Sequence, residues 1–378
     1  MMIAFRVFGW EAAVVSGLLV AVSPLHVRFS QEIRPYSIGF LALSAAIWAL
    51  LEYRRTQARR WTFIWFIASM LAAYTLYFAA LVALIVSVFV IVIERGGNMR
   101  QLWRATPQIV VAAAILYAPW WRVLLTAARE PPLAARDELT LAWVAYRLQV
   151  LATGDWRVEP IQAGSYIFWL LGIGGVIIAF RTNAGRTLIV WLIAGLAAEL
   201  IILQFHPHPS AVRHLLPAWL AVFPLAGAAI AAISRIRGGP ALAVLLCAVI
   251  IAADSKTIRA YYDHGRPDWR SVAQFVATRV RQAERVFAGN GWVELNFGYY
   301  WRQQGTPVPL ERLPPNVAVT LSGPAWIITG SCMMDFSARQ VLDRQELRFS
   351  SPYTNHSEVR YLPNGTTIVL PRSVCLNL

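Results

Sequence analysis

Long apolar segments fill most of the first 253 residues. They lie at 10–25, 36–52, 61–75, 76–93, 105–121, 164–180, 187–204, 214–233 and 240–253. A helix that crosses a bilayer needs about 20 mostly apolar residues, within a range of roughly 17–25. Only helices and closed barrels satisfy their backbone hydrogen bonds inside lipid. Composition agrees with the segment count: 57% of the residues are hydrophobic and 14% charged, against about 25% charged in a soluble domain. The expected fold class is a polytopic α-helical membrane protein.

The stretch 61–93 decides the parity. One helix of that length would run about 50 Å through a hydrocarbon core of about 30 Å. Arg59 and Arg60 precede it, and Glu94 and Arg95 follow it. With both ends cytoplasmic it crosses twice, reversing near Ala73–Phe78. One side then collects Arg6, Arg54–Arg55, Arg59–Arg60, Arg95–Arg104, Arg181–Arg186 and Arg235–Arg237. The positive-inside rule makes that side cytoplasmic. The reading gives nine spans, with the N-terminus inside and the C-terminus outside. The first segment is long, lacks a small-residue cleavage site and reads as a retained span.

The net charge of +14 is carried almost wholly by arginine, because Lys256 is the only lysine. These arginines are dispersed between apolar segments, not gathered on one face, so nucleic acid is excluded as a partner.

The outer side receives 22–36, the reversal at 73–78, a long loop at 122–163, residues 205–213, and everything after 253. Within the long loop, Leu139–Leu151 is apolar with few charges and suits an interfacial helix. After residue 253 the pattern changes. Asp268–Arg285 has the spacing of an amphipathic helix. Arg285–Ala288, Ala325–Thr329 and Thr367–Leu370 read as short strands, with turns at Gly289–Gly291 and Pro363–Gly365. The domains are therefore expected at 1–253, transmembrane, and 254–378, a soluble extracytoplasmic α/β domain. Cys332 and Cys375 lie in the latter, where they could pair or stay free; Cys247 sits in an apolar run.

Inner-loop arginines are explained by orientation. Arg28, Arg34 and Arg213 fall in short outer loops and need another reason. Arginine presents a planar fork that suits phosphate oxygens, so one reading is an anion site at the outer leaflet. The other is that Glu32 neutralises Arg34 or Arg28 while the guanidiniums reach lipid headgroups. His206, His208 and His214 invite a metal reading, yet the prolines of His206-Pro207-His208-Pro209 favour an extended segment, whose imidazoles need not converge on one ion.

The run Ser23-Pro24, followed by Phe29-Ser30-Gln31-Glu32-Ile33-Arg34-Pro35-Tyr36-Ser37, resembles the SP…YSQEARPYSL signature of bacterial glycosyltransferase family 39. These are polytopic enzymes of the GT-C class. Weaker likenesses follow in order at Phe8-Gly9, Tyr74–Phe78 (with Leu76 in place of the family's histidine), Ala118–Trp121, Arg213–Pro217 and Pro267–Arg270. The resemblance implies a GT-C-like fold and transfer of a sugar from a polyprenyl-phosphate carrier to a lipid, protein or glycan acceptor. It places the protein in the bacterial plasma membrane, in cell-envelope or protein glycosylation. It implies Arg34 and Arg213 as phosphate contacts, Glu32 as the residue that orients them or helps hold a divalent metal ion, and Tyr36, Tyr77 and His214 as further substrate-binding residues. The family's catalytic aspartate lies in a first outer loop that has no counterpart here, so the expectation is a fragment or a degenerate homologue with no catalytic residue in this chain. A noncatalytic glycan-binding scaffold and a transporter of lipid-linked saccharides are the competing expectations.

Overall fold

The computed structural model describes residues 1–31, 36–93, 118, 141–154, 162–205, 212–264, 268–289, 291–312, 318–320, 322–330, 348–349, 357–362 and 367–369. Contacts divide the chain into two units, Met1–Ile258 and Arg259–Leu378.

The first unit is helical. Its elements are α1 (Met2–Phe8), α2 (Trp10–Val22), α3 (Pro24–Ser30), α4 (Tyr36–Thr56), α5 (Arg59–Thr75), α6 (Tyr77–Ile93), α7 (Leu141–Thr153), α8 (Gln162–Ala179), α9 (Asn183–Phe205), α10 (Val212–Ser234) and α11 (Gly239–His264). Among the described residues, Tyr36–Thr56, Leu215–Ser234 and Gly239–Arg259 are each long and apolar enough to cross a bilayer. The pair α2 and α3 qualifies together, although it bends by 63°. Shorter apolar helices lie at Ala79–Val90, Gly164–Ala179 and Asn183–Ala198. The expected span at 105–121 and most of the 122–163 loop lie outside the described residues.

These helices are apolar on both faces. On α8, Phe168 and Leu171 are buried, while Tyr166, Leu170, Ile173 and Ile177 on the other side are exposed. A soluble helix keeps its outer face polar; a membrane helix does not. At the centre, α10 packs against α2, α8 and α9. Small residues permit the approach. A Cβ on Gly175 of α8 would lie 1.9 Å from the Leu225 carbonyl oxygen of α10. Ser16 of α2 donates to the Phe223 carbonyl oxygen across the same interface, at 3.2 Å.

One expected boundary holds and another shifts. The helix break in 61–93 falls at Leu76, within the expected 73–78, where an extended backbone (φ −154°) separates α5 from α6. The segment expected at 240–253 runs on as helix to His264. Arginines grouped by charge parity meet around one carboxylate. Arg6 and Arg55 each lie 3.2 Å from the Glu52 carboxylate, which is 7% exposed, and Arg54 donates to Thr187.

The second unit contains α12 (Trp269–Ala277), β1 (Arg285–Ala288), α13 (Gly291–Gln303), β2 (Leu310–Arg312), β3 (Ala318–Thr320), β4 (Ala325–Gly330), β5 (Arg348–Phe349), β6 (Ser357–Leu362) and β7 (Thr367–Val369). Five strands form a mixed sheet in the order β2-β1-β4-β6-β5. β1 runs parallel to β2 and β4, and β6 antiparallel to β4 and β5; β3 and β7 form a separate antiparallel pair. Val286 and Ala288 of β1 alternate toward a core completed by Trp269, Val272 and Val276 of α12 and Phe297 and Trp301 of α13. The amphipathic segment expected over 268–285 is helical only to Ala277, capped at its start by the Asp268 carboxylate, which accepts from the Ser271 N–H. Cys332 and Cys375 lie outside the described residues. Cys247 is free and packs partly buried on the helical core.

Candidate functional site

The polar run begins where α2 ends. Ser23 adopts an extended backbone and its hydroxyl accepts from the His26 N–H at 3.5 Å, while Pro24 occupies the first turn of α3. Serine followed by proline is a helix-start signal, and here it restarts the helix in a new direction. Gly154, just past α7, presses on this break. Its φ is +79°, and a Cβ there would lie 2.5 Å from Pro24 Cβ and 2.8 Å from the Leu25 nitrogen. Only glycine meets both conditions.

The far end of α3 is tied to the start of α4. Ser37 Oγ donates to the Phe29 carbonyl oxygen at 3.3 Å. Tyr36, 8% exposed, packs edge-on against Phe29, with ring centroids 4.9 Å apart, and stacks on Phe40 at 6.4 Å. His26 lies against Phe40 at 6.3 Å, which makes it a packing residue. The Arg28 guanidinium stands 5.9 Å from the Phe29 ring centroid. An aromatic wall thus flanks both ends of the segment that carries Glu32 and Arg34.

Glu32 and Arg34 themselves lie outside the described residues. Tyr77 opens α6; Arg213 belongs to the first turn of α10 instead of the loop expected over 205–213, and His214 follows it where a span was expected to begin; for these three the backbone alone is described. Tyr36 is therefore the expected site residue whose surroundings are defined. The sequence reading named Phe29 only within the motif and passed over Phe40, although the four-residue spacing of Tyr36 and Phe40 on one helix face pointed to it. It also passed over Arg147 on α7, which is 3% exposed and belongs to the helix that packs against α3. A buried guanidinium among apolar neighbours is costly, and its isolation within 141–151 was the available signal. Among the described residues no three His, Cys, Asp or Glu side chains gather where they could hold a metal ion.

No protein-family model matches this chain, and no curated protein matches it. Solved structures do. A crystal structure of ArnT from Cupriavidus metallidurans bound to undecaprenyl phosphate is similar with a TM-score of 0.56 at 14% identity, covering 100% of this chain and 82% of that one. The apo state of the same protein gives a TM-score of 0.58 at 13% identity, covering 100% and 81%. At such identity the likeness establishes the fold alone: this chain is a polytopic helical membrane protein that shares the fold of these ArnT structures.

Proposed function

We propose that this chain is a membrane glycosyltransferase of GT-C type that draws its sugar from a polyprenyl-phosphate carrier at the extracytoplasmic leaflet. The carrying observation is the fold likeness over the whole chain to a protein crystallised with undecaprenyl phosphate. In this reading Arg34 and Arg213 grip the lipid phosphate, and their fixed charge stabilises the negative charge that develops as the phosphate departs. Glu32 orients them. Tyr36, wedged between Phe29 and Phe40, provides an apolar wall where the chain turns polar, and Tyr77 and His214 complete the lining.

The test is undecaprenyl-phosphate binding by the full chain in lipid nanodiscs, followed by sugar transfer from undecaprenyl-phosphate sugars. R34A and E32Q are expected to weaken binding or turnover by at least about 10-fold, the scale of one lost charge-assisted contact. Wild-type binding and turnover in both variants would overturn the assignment.

A further inference from the structure

The second unit starts where a membrane span ends. Its first residue, Arg259, is the last of the stretch Gly239–Arg259 that can cross a bilayer. Helix α11 runs on to His264, and the sequence Gly265-Arg266-Pro267 then leads to Asp268, the cap of α12. The helical extension rises about 7.5 Å, and the steps from His264 to Asp268 reach at most about 14 Å. The start of α12 is therefore within about 22 Å of the end of the span.

Helix α13 of this unit divides into two faces. Val293, Phe297 and Trp301, spaced by four, are buried in the core. On the opposite face Leu295 is 72% exposed and Tyr299 56% exposed, and Arg302 is exposed one turn further on. Trp292 falls on that same face by helical spacing. Leu295 and Tyr299 are the exposed large apolar side chains among the described residues after Asp268. One turn apart, they form a single patch and not two scattered contacts. The acid beside them, Glu294, lies 3.9 Å from Arg312. A helix of a soluble domain usually keeps its outer face polar.

The residue types and the nearness of the span select what covers this face. An aliphatic side chain suits the acyl boundary, tyrosine is enriched at headgroup level, and a guanidinium pairs with lipid phosphate. The same tyrosine and arginine combination stands at the end of the span, where Tyr262 is 58% exposed just past Arg259. We propose that this face of α13 docks on the phospholipid headgroups of the leaflet at which α11 ends. Leu295 reaches the acyl boundary, Tyr299 lies among the headgroups, and Arg302 meets a phosphate. Docking gives the unit a second attachment besides α11. It does not depend on the phosphate-gripping roles of Arg34 and Arg213.

The experiment uses the full wild-type chain, one copy per nanodisc of phosphatidylglycerol and phosphatidylcholine. Hydroxyl-radical footprinting read by mass spectrometry should find Leu295 and Tyr299 at least about 5-fold less oxidised than in the unfolded chain, despite their exposure in the protein itself. A phosphatidylcholine with a photoreactive diazirine near its headgroup should then leave adducts on the peptide that spans Leu295–Arg302. L295D, which leaves the core face intact, should lower the adduct yield at least about 10-fold, the scale of one lost leucine insertion. Free oxidation of Leu295 and Tyr299 in the nanodisc would overturn the proposal. So would protection without lipid adducts, which would assign the face to a protein contact, and so would an unchanged yield in L295D.

Discussion

Helices α10 and α11 are successive and both strongly apolar, yet they occupy opposite situations. In α10, 83% of the apolar stretch is buried within the protein; in α11, 22% is. Hydropathy cannot separate them, because lipid satisfies an apolar side chain as well as a protein core does. Side-chain size does. Ala218, Ala221, Ala226, Ala228, Ala229 and Ala231 of α10 are buried, and glycines meet its backbone: Gly175 from α8 at Leu225 and Gly195 from α9 at Ala218. α11 instead presents Leu242, Val244 and Leu245, which remain exposed. At the centre of this bundle, small residues stand where helix backbones meet and large ones such as Phe223 fill the space between.

Four substitutions would break or sharpen this contrast. Gly175→Val should have the largest effect, because its new side chain meets backbone that cannot yield. A loss above about 4 kcal/mol, seen as failure to recover monodisperse protein by size-exclusion chromatography, is expected. Phe223→Ala on α10 empties a site shared with Phe168 and Trp219, whose rings lie 5.6 and 5.3 Å away. It should cost about 3–5 kcal/mol in detergent unfolding. Gly154→Ala should cost about 1–3 kcal/mol, from the positive φ and the contact with Pro24 together; a wild-type midpoint would show that α7 does not brace the break. Leu245→Ala on α11 should stay within about 0.5 kcal/mol. A loss there comparable to Phe223→Ala would mean that α11 is a buried element and that the contrast with α10 is wrong.

Apolar periodicity revealed where most helices lie, because a membrane helix must be apolar to exist. It did not reveal where they end. The span expected at 240–253 stopped at the first charges, Asp254 and Lys256. The helix itself persists until the Gly265-Arg266-Pro267 sequence, because breakers end helices and charges do not. At Ser23 the outer stretch expected over 22–36 begins where α2 ends, but the chain restarts there as helix over Pro24–Ser30, because the Ser-Pro pair is itself a helix start. Charge parity located the reversal near Leu76, which carries no glycine or proline to announce it. The aromatic surroundings of Tyr36 were partly legible through helical spacing. That Trp219 and Asp254 line one cavity was not, since they lie on different helices and Asp254 read as the start of another domain.

The 63° turn at Ser23 governs depth as well as direction. A helix tilted by that angle advances only about 0.7 Å per residue along its predecessor's axis, so the seven residues of α3 move the chain about 5 Å deeper or shallower. A straight continuation would have carried it about twice as far. Gln31 is thereby kept close to the level at which Pro24 opens α3. A serine, a proline and an opposing glycine fix how far along the axis of α2 this protein carries Arg28.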